Sequence, residues 1–179
     1  MLKPEVTVLI ILDVQGRLAH MMYEDESLVE NLQKMIEGAQ TLEIPIIWLE
    51  QLPDKLGPTI PEISELLVGI DPINKHTFSA CGNESFIESL KALNAEQVLV
   101  VGIEAHICVY QTVMGLIGLN YKVEVVEDAV SSRTSQNKQL ALRKMSLAGV
   151  GMTSVEMALF ELLEIAEGAQ FKAVLKIVK

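Results

Sequence analysis

Residues 6–12, VTVLIIL, form an unbroken aliphatic and largely β-branched run that stops abruptly at Asp13. The run is far too short to cross a bilayer. It also lacks the polar alternation of a half-exposed strand, so it predicts a strand covered on both faces. The pattern returns at residues 44–49 (IPIIWL), 97–102 (QVLVVG) and 122–127 (KVEVVE), with shorter candidates at 150–154 and 73–78. Helical spacing fills the intervals. Leu28, Leu32, Met35, Ile36 and Ala39 share one face of a helix before the second run, and Ser85, Ile87, Leu90 and Leu93 suggest another helix before the third. Residues 108–119, 137–148 and 155–166 complete the series. Strand–helix alternation of this kind calls for a three-layer α/β/α sandwich, its central sheet mostly parallel and its crossovers right-handed, with Rossmann-like topology. With no repeat, linker or low-complexity tract, residues 1–179 read as one α/β domain.

Composition narrows the function. Lys plus Arg number 14 against 24 Asp plus Glu, a formal charge of −10. Such a surface repels phosphate backbones and anionic lipid, so neither nucleic acid nor membrane is an expected partner. Cys81 and Cys108 form neither a disulfide framework nor a metal-type spacing, and no secretory leader pattern precedes the first strand. The expectation is a reduced, cytoplasmic protein acting on a small molecule. Half the residues are hydrophobic but only 4% aromatic. An aliphatic excess of this kind beside strong charge favours burial against a second copy, hence a homo-oligomer. His20, His76 and His106 show no metal-binding spacing, and no GxGxxG follows the first strand, so no metal and no cofactor are expected.

Ligands of open parallel sheets sit beyond the carboxyl ends of the strands, where strand order reverses. In the common order 3-2-1-4-5-6, the strands at 6–12 and 97–102 meet there, and Asp13 and Cys108 face one crevice. A cysteine at a helix start has its thiolate favoured by free N–H groups and the helix dipole, and the same groups can receive an oxyanion. A neighbouring carboxylate can take the thiol proton and return it to a leaving amine. Lys75, if it reaches the crevice, would lower the thiol pKa and orient Asp13. Each residue also has a plainer reading: an inert core cysteine, a solvated loop carboxylate and a solvated loop lysine.

Three stretches taken together, VLIILDVQ at 8–15, KHTFS at 75–79 and VGIEAHICV at 101–109, resemble the isochorismatase-like cysteine hydrolase family. Within it they most resemble the small members typified by isochorismatase domain-containing protein 2 and the YcaC-like hydrolases. The resemblance runs over nearly the whole chain. It implies a catalytic triad of Asp13, Lys75 and Cys108, with hydrolysis of a C–N bond in a small amide through a thioester. It further implies a cis peptide at Ile103–Glu104, aiming the backbone N–H groups of Glu104 and Cys108 into an oxyanion hole. Nicotinamidase-type members hold a metal with histidines near the second strand; residues 50–54 here contain none. True isochorismatases lack the nucleophilic cysteine, so Cys108 argues against vinyl-ether hydrolysis. Gln15, Leu52, Leu56, His106 and Tyr110 are the expected pocket walls. Two alternatives stand beside this reading. One is a non-catalytic oligomeric α/β binding module that keeps the fold; the other is a redox sensor with Cys81 as resolving thiol.

Overall fold

The structure is a computed structural model that describes residues 1–179. Strand β1 (Thr7–Leu12) leads to a single turn, α1 (Gly16–Ala19), and a long helix, α2 (Asp25–Thr41). Strand β2 (Ile46–Gln51) is followed by two short turns, α3 (Pro53–Leu56) and α4 (Pro61–Ser64), and strand β3 (Ile73–Lys75) by α5 (Glu84–Ala92). Strand β4 (Gln97–Ile103) runs into α6 (Tyr110–Gly118), and β5 (Lys122–Ser131) into α7 (Ser135–Leu147). Strand β6 (Gly151–Thr153) precedes α8 (Val155–Leu163) and α9 (Gly168–Ile177). The six strands are all parallel, in the order β3-β2-β1-β4-β5-β6.

The apolar runs are continuous because each central strand is covered twice. Val8, Ile10 and Leu12 of β1 pack with Phe86 of α5, Val113 of α6 and Met145 of α7. Leu9 and Ile11 point the other way, to Leu32 and Ile36 of α2, Leu159 of α8 and Val174 of α9. Asn83, Thr134 and Ser154 cap α5, α7 and α8, each side chain accepting a backbone N–H of the first turn. Strand β5 extends to Ser131, beyond the apolar 122–127 run, because after an irregularity near Gly102 its Val130 and Ser131 pair with Gly102 and Ile103. Helix α9 stands outside the strand–helix series read from the sequence. It has one buried residue, Val174, and forms by docking on α2 and α8.

Gly102 sets how closely β4 can approach β1. Its φ is +112°, and a methyl group there would lie 2.1 Å from the Leu12 carbonyl oxygen. Gly102→Ala is therefore expected to lower stability by about 3 kcal/mol, seen as a lower urea midpoint. An unchanged midpoint would mean that the two strands part readily. Their carboxyl ends are the switch point: the chain leaves β1 toward β2 and leaves β4 toward β5.

Candidate active site

Asp13 is the first residue beyond β1 and adopts a left-handed conformation, φ +56°. Aspartate tolerates that region better than most residues, and here the turn drives the carboxylate into the sheet's carboxyl edge. Lys75 ends β3, an edge strand separated from β1 by β2. Its side chain crosses the end of β2, and its ammonium is wholly buried. Lys75 Nζ donates to Asp13 Oδ2 at 2.7 Å and Gln51 Oε1 at 2.6 Å, and lies 3.2 and 3.3 Å from the carbonyl oxygens of Phe78 and Thr77. Four acceptors thus replace the ammonium's water shell, which is what lets a charge persist at this depth.

Gln51, the last residue of β2, joins Lys75 to the His76 backbone. Its Oε1 accepts from Lys75, while its Nε2 donates to the His76 carbonyl at 3.1 Å. Gln15, fully buried behind it, clamps the Gln51 backbone. Gln15 Oε1 accepts the Gln51 N–H at 2.6 Å, and Gln15 Nε2 donates to the carbonyls of Gln51 and Gly57 at 3.1 and 2.7 Å. Gln51 is a positioning residue that composition and motif do not single out. Its place at the end of a central strand, beside the edge strand that carries Lys75, is the signal.

Cys108 lies in a wide, π-helical turn, Ala105–Val109, that precedes α6. The spacing predicts a helix beginning at residue 108; the α-helix begins instead at Tyr110. Bonds from Val109 N–H to the Glu104 carbonyl (3.3 Å) and from Tyr110 N–H to the Ala105 carbonyl span five residues and widen the turn. Such widened turns recur at functional sites. The Ile103–Glu104 peptide just before it is cis. Glu104 anchors the turn from outside: its Oε2 accepts from the Arg133 backbone N–H at 3.1 Å and from Arg133 Nε at 3.0 Å.

Asp13, Lys75 and Cys108 are close enough that each charge acts on the thiol. Burial, and after it the Asp13 carboxylate, pushes the Cys108 pKa up to about 12, against the lowering pull of the Lys75 ammonium. Burial likewise lifts the Asp13 carboxyl above its usual value, against the lowering pull of Lys75. At neutral pH the resting sulfur is a protonated thiol. A helix-start cysteine beside a lysine is expected to be depressed instead. The difference arises because the sulfur is buried, and because a second anion beside Asp13 is unfavourable. Asp13 Oδ1, buried and without a hydrogen-bond partner of ordinary geometry, keeps a lone pair free.

A cavity of about 90 Å³ opens on Cys108 and Asp13, walled by Leu18, Leu56, Phe78, Ile103 and Ile107. Of the expected walls, Leu56 lines it. Gln15 lies behind the site as the clamp described above, and Leu52 sits at the entry to α3 without facing the cavity. The His106 ring meets the Ser132 hydroxyl, Nδ1 to Oγ 2.9 Å, and Tyr110 lies under the Lys144 ammonium, 4.7 Å from the ring centre. Leu18, Phe78 and Ile107 were not foreseen as walls, although Phe78 and Ile107 closely follow strand ends. A larger, shallow hollow of about 600 Å³ lies around Trp48, Glu50 and Thr59. It holds no cysteine, and Glu50 Oε1 there accepts the Thr59 N–H at 2.7 Å. No three His, Cys, Asp or Glu side chains gather to hold a metal ion, and no helix is long and apolar enough to cross a membrane.

Comparison with known proteins places this geometry. Residues 7–157 match the isochorismatase domain. Isochorismatase domain-containing protein 2 of Danio rerio is 33% identical over 96% of this chain and 86% of its own length. The solved structure of the MAR1 ribonuclease of Caenorhabditis elegans superposes with a TM-score of 0.92 at 34% identity, covering 99% of this chain and 91% of that one. YcaC of Escherichia coli, described as an octameric hydrolase of unknown specificity, shares the fold with a TM-score of 0.93 at 20% identity, covering 98% and 88%. With the domain running from the first strand into α8, and a relative one-third identical over almost the full chain, the protein belongs to the isochorismatase family.

Proposed function

We propose that this protein is a cysteine hydrolase that cleaves the C–N bond of a small amide through a thioester on Cys108. The observation that carries the reading is the buried Lys75–Asp13 ion pair, with one carboxylate oxygen unpartnered beside a thiol. Lys75 holds Asp13 in place by one oxygen and leaves the other as base. As Asp13 Oδ1 takes the thiol proton, the sulfur attacks the amide carbon and the carbonyl π pair moves to oxygen. The backbone N–H groups of Glu104 and Cys108 receive that oxyanion. Collapse breaks the C–N bond, and the amine leaves with the proton from Asp13. Water, deprotonated by Asp13, then attacks the thioester; the acid departs and the thiol is restored. A thiol with a pKa near 12 suits this order, since proton removal and attack occur together and no free thiolate has to persist.

RNA cleavage, the activity in the name of the C. elegans neighbour, calls for cations to neutralise the phosphodiester. Lys75 is already committed to four acceptors and the chain carries a net −10, so a small neutral substrate fits better. The test is intact-mass analysis of acid-quenched protein during turnover of a short amide. An acyl increment on Cys108, discharged by hydroxylamine, is expected. Absence of both increment and released ammonia would leave the fold as a non-catalytic module.

Self-association belongs to the same reading. Val68, Leu147 and Met157 are strongly exposed aliphatic or thioether side chains, and the E. coli neighbour is an octamer. Light scattering is expected to give a multiple of the 19.7 kDa chain mass, and a single-chain mass would overturn this part.

A further inference from the structure

Taking Cys108 as the nucleophile, we infer that the acyl side of the substrate is a short, uncharged aliphatic group of about two to four carbons. Size comes first. The cavity beside the sulfur measures about 90 Å³. An apolar cavity of roughly 150 Å³ is known to admit benzene. The space here is smaller than one that encloses a six-membered ring.

Charge comes second. No cationic side chain opens on the cavity, whose polar walls include the carboxyl groups of Asp13 and Glu104. Lys75 Nζ has three protons and four acceptors between 2.6 and 3.3 Å. Gln51 has its oxygen on Lys75 and its amide nitrogen on the His76 carbonyl. Glu104 turns its carboxylate to Arg133, and Asp13 Oδ1 is itself a bare acceptor. A substrate carboxylate placed here would be desolvated, unpaired and beside a like charge. The remaining walls are Leu18, Leu56, Phe78, Ile103 and Ile107.

The amine side is less restricted. Leu56 and Phe78 stand at the mouth and remain 37% and 56% exposed, so the leaving group projects between them toward solvent. Selection therefore falls on the acyl half.

The experiment measures ammonia release from propionamide, butyramide, benzamide and succinamate with the intact protein. Propionamide or butyramide is expected to exceed both benzamide and succinamate by about 100-fold or more in kcat/KM. Leu18→Ala, which enlarges the wall, is expected to narrow the gap to benzamide about tenfold while leaving succinamate excluded. Benzamide or succinamate turned over within tenfold of butyramide would overturn the inference and leave the hydrolase reading standing. If no amide reacts, the hydrolase reading fails, and the cavity is read separately by protection of Cys108 from iodoacetamide. Protection by butanal, but not by benzaldehyde or succinic semialdehyde, supports the inference; equal protection, or none, overturns it.

Discussion

Cys108→Ala is expected to lower amide turnover by about 10⁴-fold or more, because every bond-making step passes through that sulfur. Cys108 is buried, yet its sulfur is a small part of a wall made mainly by leucine, isoleucine and phenylalanine side chains. The variant should therefore unfold within about 1 kcal/mol of the parent protein, and a near-unchanged urea midpoint separates lost chemistry from lost structure. Cys81 is the internal control. It is half-buried against α6, its sulfur 3.7 Å from the Thr112 carbonyl, and Cys81→Ala should leave kcat within a few-fold. Turnover by Cys108→Ala within tenfold of the parent would rule out the thioester route, whatever the fate of the substrate series.

Lys75→Met carries the second large effect, on stability as well as rate. It removes the only ion-pair partner of a carboxylate that is 3% exposed, and breaking a buried pair from one side costs about 3–5 kcal/mol. The loss should depend on pH, and its sign follows from Asp13. Burial raises the folded-state pKa of that carboxyl above its ordinary 3.8. Stability contributed by a raised carboxyl is complete below 3.8 and is lost as pH rises through the folded value. Taking away the ammonium raises the folded value further, so the variant loses more than the parent as the solution becomes neutral. The gap between the two proteins is thus widest near pH 7 and closes toward pH 3.8, where Asp13 is protonated in both. Asp13→Asn in the Lys75→Met background should restore most of the stability and none of the activity, since an uncharged pair needs no counter-ion. A gap independent of pH between 4 and 7 would show that Lys75 stabilises the fold by packing alone.

The residues of this site were legible to different degrees. Asp13 stands directly after one continuous apolar run and Cys108 five residues beyond the strand that holds another, and the general rule for parallel sheets directs attention there. Lys75 is different. By itself it reads as a loop lysine, and only the family resemblance assigned it to the site. Its burial depends on β3 lying at the sheet edge and on its side chain crossing the end of β2, past Gln51, to reach Asp13 62 residues away. The cavity walls escape sequence reasoning for the same reason: Leu18, Phe78 and Ile107 come from three separate segments, after β1, β3 and β4, whose spacing is fixed only once the strands are ordered.

The sequence by itself determined the layered architecture and the edge at which chemistry would sit. Those follow from local pattern, because a strand covered on both faces must be apolar throughout and a chain leaving the sheet must turn polar at its end. Tertiary structure alone decided the protonation state of the thiol, the closure of the ammonium's hydrogen bonds and the size of the cavity. Each is a property of distance and exclusion of water among residues remote in the chain. A pKa near 12, rather than the depressed value of a helix-start cysteine, is what burial beside a carboxylate produces.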